Sequence, residues 1–149
     1  MLEMKLDRNQ HSVYLLYYHL VMVIKYRRKV IDNTISERLS NMFSSIGKNY
    51  GIVLEEWNHD IDHVHVMFRA IPSTNISKFI NAYKSATSRI IKKEYPKISD
   101  KLWKSYFWSK SYCLISTGGV TTDIIRKYIE SQGDKSETKC SSKDKNISQ

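Results

Sequence analysis

The chain has 149 residues, of which 41% are hydrophobic, enough for about one packed domain. Its 24 Lys and Arg against 15 Asp and Glu give a formal net charge of +9, which favours a polyanionic partner: nucleic acid first, an anionic membrane surface second. No run approaches the roughly 20 apolar residues needed to span a bilayer, Met1 to Gln10 is too polar for a secretory signal, and Cys113 and Cys140 form no disulfide framework, so a cytoplasmic protein is expected.

Residues 1–10 are polar and are expected to be flexible. Val13 to Tyr26 is rich in β-branched and aromatic residues and predicts one long strand, closed by the basic cluster Arg27, Arg28 and Lys29. Thr34-Ile35-Ser36-Glu37 has the form of a capping box, and Ile35, Leu39, Met42, Phe43, Ile46 and Tyr50 then recur at helical spacing up to Gly51. Ile52 to Trp57 predicts a second strand and Asn58 to Ile61 a turn. Asp62 to Arg69 alternates strictly, with Val64, Val66 and Phe68 on one face and His63, His65 and Met67 on the other. A second helix is predicted from about Ile76 to Tyr95, ended by Pro96. Tyr106 to Thr117 reads as a fourth main strand, and Gly118-Gly119 as a break. A third helix, capped by Thr121 or Thr122, runs to about Gln132. Residues 134–149 have little to bury and are expected to be flexible. The order strand, helix, strand, strand, helix, strand, helix implies an α+β fold with an antiparallel sheet; a ferredoxin-like core is the nearest simple pattern.

Three features could carry chemistry. His63 and His65 lie two apart on a predicted strand, so both imidazoles point to one side, as a shared metal site requires. Two solvated surface histidines would give the same pattern. Tyr128 and Gln132 are four apart on the third helix and stack on one face. Tyr128 also lies in the apolar stripe of Val120, Ile124, Ile125 and Ile129, where a core tyrosine would sit equally well. The second helix carries a stripe of Lys78, Asn81, Ser85, Ser88, Arg89 and Lys92, residue types that contact phosphates or face water. Arg126 and Lys127 add to the basic positions.

Taken in order, these segments resemble a known family. His11-Ser12-Val13-Tyr14-Leu15-Leu16-Tyr17-Tyr18-His19-Leu20 with Lys25-Tyr26-Arg27-Arg28-Lys29-Val30 resembles its opening strand. Asp62-His63-Val64-His65-Val66 resembles its histidine-hydrophobe-histidine motif, Phe107-Trp108-Ser109-Lys110-Ser111-Tyr112 its fourth strand, and Tyr128-Ile129-Glu130-Ser131-Gln132 its nucleophile helix. The family is the single-tyrosine HUH transposases of small insertion sequences, and the likeness covers residues 11–133 as one domain.

The resemblance implies a ferredoxin-like HUH sheet with two helices on one face and the tyrosine-bearing helix on the other. It implies an enzyme that cleaves and rejoins single-stranded DNA at element ends bearing hairpins. Tyr128 would be the nucleophile, forming a 5′-phosphotyrosine link, and His63, His65 and Gln132 would bind one Mg²⁺ or Mn²⁺. It further implies a homodimer with composite sites, with Gly118 and Gly119 as the hinge of the third helix. Arg27, Arg28, Lys29, Lys78, Ser85, Arg89 and Lys92 are candidate DNA contacts. Three other readings stay open: another HUH endonuclease, a relative acting on chromosomal repeated palindromes, and a non-catalytic ferredoxin-like binder of nucleic acid.

Overall fold

A computed structural model describes residues 7–8, 13–116 and 128–132. The proposed hinge at Gly118 and Gly119, the start of the third helix with Arg126 and Lys127, and the polar tail lie outside the described residues.

Two short strands, β1 (Asp7–Arg8) and β2 (Val13–Tyr14), pair in a small antiparallel ladder of their own. The main sheet has four strands: β3 (Tyr17–Ile24), β4 (Val53–His59), β5 (His63–Arg69) and β6 (Trp108–Ser116). They lie in the order β4-β5-β3-β6, and every neighbouring pair is antiparallel. Helix α1 (Asn33–Gly47) connects β3 to β4, and α2 (Ile76–Glu94) connects β5 to β6. This is the ferredoxin-like arrangement, with β3 and β5 in the centre. A final helical segment, α3 (residues 128–131), packs on the remaining face.

Alternation along the two central strands sorts the sheet into two faces. Leu20, Met22 and Ile24 of β3 and Val64, Val66 and Phe68 of β5 point into a core closed by Leu39 and Phe43 of α1 and Phe79, Ile80 and Tyr83 of α2. Phe43 is at its centre, with ring centroids 5.0 Å from Phe79, 5.2 Å from Tyr83 and 5.7 Å from Phe68. Each such side chain contributes about 1.5–3 kcal/mol by burial. The polar atoms that enter this core are satisfied. Tyr83 donates to Leu39 O at 2.8 Å, and Trp108 Nε1 donates to Thr87 Oγ1 at 2.9 Å, tying β6 to α2. Burial pushes the Tyr83 phenol well above its usual pKa.

Three local readings need correction. The first strand is broken: Leu15 and Leu16 separate β2 from β3, and Lys25–Arg27 form a 3-10 turn in which Tyr26 (φ 56°) and Arg27 (φ 51°) are left-handed. Helix α1 is capped by Asp32, not by the box at Thr34; Asp32 is extended and accepts from Ile35 N at 2.8 Å, which places Thr34 inside the first turn. The turn after β4 falls later than expected, because β4 extends to His59. Gly51 does close the α1 region, through a short 3-10 turn (Lys48–Tyr50) and with φ 71°; a Cβ there would stand 2.6 Å from Ile71 Cδ1.

Candidate active site

On the second face of the sheet the described residues form a smaller buried cluster: Val21 and Val23 of β3, Cys113 of β6 and Tyr128 of α3. Register places the predicted histidines on this face, because Val21 pairs with His65 and Val23 with His63. Both imidazoles are half-buried, and their strand is anchored from behind by fully buried Val64 and Val66. Rigid strands hold ligand geometry well.

Each histidine has its own partner. His63 Nδ1 is 2.7 Å from Asp62 Oδ1, and Arg27 Nε donates to Asp62 Oδ2 at 2.9 Å. Asp62 is only 7% exposed. Burial pushes its carboxyl up, but the hydrogen bonds from His63 and Arg27 outweigh that and hold it below its usual pKa. An ionised Asp62 fixes the His63 proton on Nδ1 and leaves the Nε2 lone pair for a ligand, the arrangement found behind many metal-bound histidines. Arg27 makes this contact from a left-handed backbone, a state that costs a non-glycine residue roughly 1–2 kcal/mol.

His65 Nε2 lies 3.0 Å from His19 Nδ1, on the neighbouring strand. One nitrogen donates and the other accepts. Burial lowers the pKa of both rings; the His19 and His63 rings lower His65 further, and Glu56 opposes both shifts. Both imidazoles are therefore neutral at neutral pH, the state that binds metal. Among the described residues, no three His, Cys, Asp or Glu side chains form a metal-binding group. Any cation held here draws the rest of its coordination from other donors.

Tyr128 and Gln132 are brought together over β6. Tyr128 is 1% exposed and Gln132 5%. Ser111 Oγ donates to Gln132 Oε1 at 3.2 Å, and Ser109 Oγ does so at 3.4 Å. With its one proton on Gln132, Ser111 accepts the Tyr128 hydroxyl at 3.4 Å. The phenol and carboxamide thus gather on β6, and the imidazoles stand on β5, with β3 between. Two strand spacings, roughly 10 Å, separate those backbones.

The basic candidates divide. Arg27 is engaged with Asp62, whereas Arg28 and Lys29 are exposed. On α2, Lys78 and Arg89 are exposed, while Ser85 and Lys92 line a groove facing the chain before β6. Sequence reasoning missed His19, Asp62, Ser109 and Ser111 as site residues. His19 did leave a signal, as the polar interruption of the apolar run from Leu15 to Ile24. The other three act through tertiary contacts.

Comparison with known proteins agrees with this architecture. The family described as "Transposase IS200 like" matches residues 12–132. The ISDra2 transposase TnpA of Deinococcus radiodurans is 37% identical over 134 residues, covering 90% of this chain and 94% of that protein. A crystal structure from Deinococcus radiodurans R1, assigned as a transposase, superposes with a TM-score of 0.77 at 29% identity, covering 85% of this chain and 97% of the other. A REP-associated tyrosine transposase bound to a REP hairpin shares the fold, with a TM-score of 0.54 at 11% identity over 83% of this chain and 69% of that one. With the match spanning the whole sheet from before β2 to Gln132, the chain belongs to the IS200-like transposase family.

Proposed function

We propose that this transposase cleaves and rejoins single-stranded DNA at insertion-sequence ends, recognising hairpins there and passing through a 5′-phosphotyrosine link on Tyr128. The observation that carries the reading is the pairing of Tyr128 with Gln132 on the same sheet face as the imidazoles of His63 and His65. Tyr128 O attacks the scissile phosphorus, the bond to the 3′ oxygen breaks, and the strand leaves with a free 3′-hydroxyl. A later 3′-hydroxyl attacks the phosphotyrosine, expels the phenol and reseals the backbone. The phosphoester energy is kept in the protein link, so no nucleotide cofactor is required.

The donor set fits a divalent cation: the imidazole of His63, hydrogen-bonded to Asp62, the imidazole of His65, whose pKa burial lowers, and a carboxamide oxygen. His63, His65 and Gln132 would hold Mg²⁺ or Mn²⁺, with phosphate oxygens completing the shell. When bound, the cation supplies positive charge that stabilises the phosphoryl transition state. The separation of imidazoles and phenol on β5 and β6 supports a homodimer whose sites combine the histidines of one copy with the tyrosine helix of the other.

The test is incubation with labelled hairpin-bearing single-stranded DNA and Mg²⁺. A denaturation-resistant protein–DNA adduct is expected, absent in Tyr128→Phe and in EDTA, with hairpin binding retained by the variant. A variant that still links to DNA would place the nucleophile on another tyrosine. Mixing inactive Tyr128→Phe with inactive His63→Ala should restore adduct formation; a mixture as dead as its parts would break the composite-site reading.

A further inference from the structure

The groove beside β6 is lined by lysines and by no carboxylate. It measures about 530 Å³ and runs between α2 and the segment leading into β6. Its lining carries four lysines, Lys84, Lys92, Lys104 and Lys110, and no Asp or Glu. A second groove, beside Pro96, mixes Asp32 and Glu94 with Lys97 and Lys101.

Two of these lysines are fixed by backbone carbonyls. Lys84 Nζ donates to Ser109 O at 2.8 Å and to Lys110 O at 3.1 Å, and Lys92 Nζ donates to Ser105 O at 3.1 Å. Their charge is therefore presented from set positions across the groove. Its rim is a tight turn in which Trp103 bridges Tyr106 and both intervening residues are left-handed, Lys104 at φ 48° and Ser105 at φ 65°. Such a turn normally uses Asn or Gly. Here Lys104 is exposed, and Tyr106, its ring stacked on Trp103 with centroids 5.8 Å apart, is 51% exposed. Ser109 borders the groove, where its backbone carbonyl accepts from Lys84 Nζ.

We propose that this groove holds a single DNA strand, with its phosphates along the four lysines and a base stacked on Tyr106. The inference rests on the DNA-processing reading above and adds where the unpaired strand runs. Single strands are held by such combinations of a cationic track and exposed aromatic rings. A paired stem would offer its phosphates but no free base face to Tyr106.

The test uses the full chain and two variants at exposed positions, Lys104→Ala/Lys110→Ala and Tyr106→Ala, each first shown to melt like the parent. Binding is measured by fluorescence anisotropy on hairpin-free oligothymidine and on a fully paired hairpin, across a salt series. The lysine variant should lower oligothymidine affinity by about tenfold or more and flatten the slope of log K against log salt by about 1.4. Tyr106→Ala should lower it by about tenfold. Affinity for the paired hairpin should be nearly unchanged in both. Oligothymidine affinity untouched by either variant overturns the proposal, as does an equal loss on the paired hairpin. The two readings separate cleanly. Oligothymidine binding that responds as expected in a protein forming no phosphotyrosine adduct would sink the cleavage reading and keep the groove. An adduct-forming protein with indifferent groove variants would do the reverse.

Discussion

The two faces of the central sheet are made from the same strands and do different work. Leu20, Met22, Val64, Val66 and Phe68 point to one side and meet two long helices, giving one continuous apolar cluster. Their immediate neighbours His19, His63 and His65 point to the other side with Val21 and Val23, where the described residues form a separate, smaller buried cluster. Elements held by few apolar contacts open at lower free energy than core elements. Among the described residues, the larger apolar cluster lies on the helix-covered face. The chemistry-bearing face has imidazoles, hydroxyls and a carboxamide that depend on each other for partners.

If that division is right, the largest stability loss comes from the covered face. Phe68 is fully buried and stacks on Tyr18 while contacting Phe43. Phe68→Ala should cost about 3–5 kcal/mol, read from the urea midpoint, because the rigid helices on either side cannot close the cavity. Adduct formation per folded molecule should stay near the parent value. A loss below about 1 kcal/mol would mean that the cluster is not the source of stability.

A middle-sized effect should appear on the other face, in activity rather than stability. Asp62→Asn keeps the shape but removes the charge that orients His63 and holds Arg27. Loss of such an orienting carboxylate typically lowers metal affinity or activity about 10- to 100-fold. Adduct-forming rate against Mg²⁺ concentration measures it. An unaltered metal dependence would reduce Asp62 to a structural ion pair.

The division of faces was legible in the sequence, because a strict two-residue alternation in Val64, Val66 and Phe68 against His63 and His65 has one physical reading. The second helix was legible for the same reason at its own period. What pairs with the histidines was not. Asp62 meets Arg27 across 35 positions, and His19 meets His65 across 46. Only strand register decides such contacts. The cap of α1 was misread because Asp32 and Thr34 both have cap chemistry, and the choice depends on where the backbone leaves the extended state. The left-handed pair Lys104 and Ser105 left no local trace, since neither residue favours that conformation.

The smallest expected effect is a pH dependence that belongs to the histidine-bearing face. His19 and His65 both have pKa values lowered from 6.5, mainly by burial. A lowered value means the unfolded chain binds protons that the folded chain refuses. Stability is then complete above about pH 6.5 and falls as the pH drops from there toward the folded-state values. Asp62, also lowered, acts in the same direction in a separate window beginning below its ordinary 3.8. Urea midpoints taken at about pH 7.5 and pH 5.5 isolate the histidine window from the carboxylate one. The parent should lose stability between those two points, and His65→Gln should lose less, because it removes one buried imidazole and relieves the crowding on His19. Stability that rises on acidification, or an equal fall in both proteins, would show that burial on this face does not keep the His65 ring neutral. The two faces would then differ in packing alone, without the electrostatic difference that makes one of them fit for a cation.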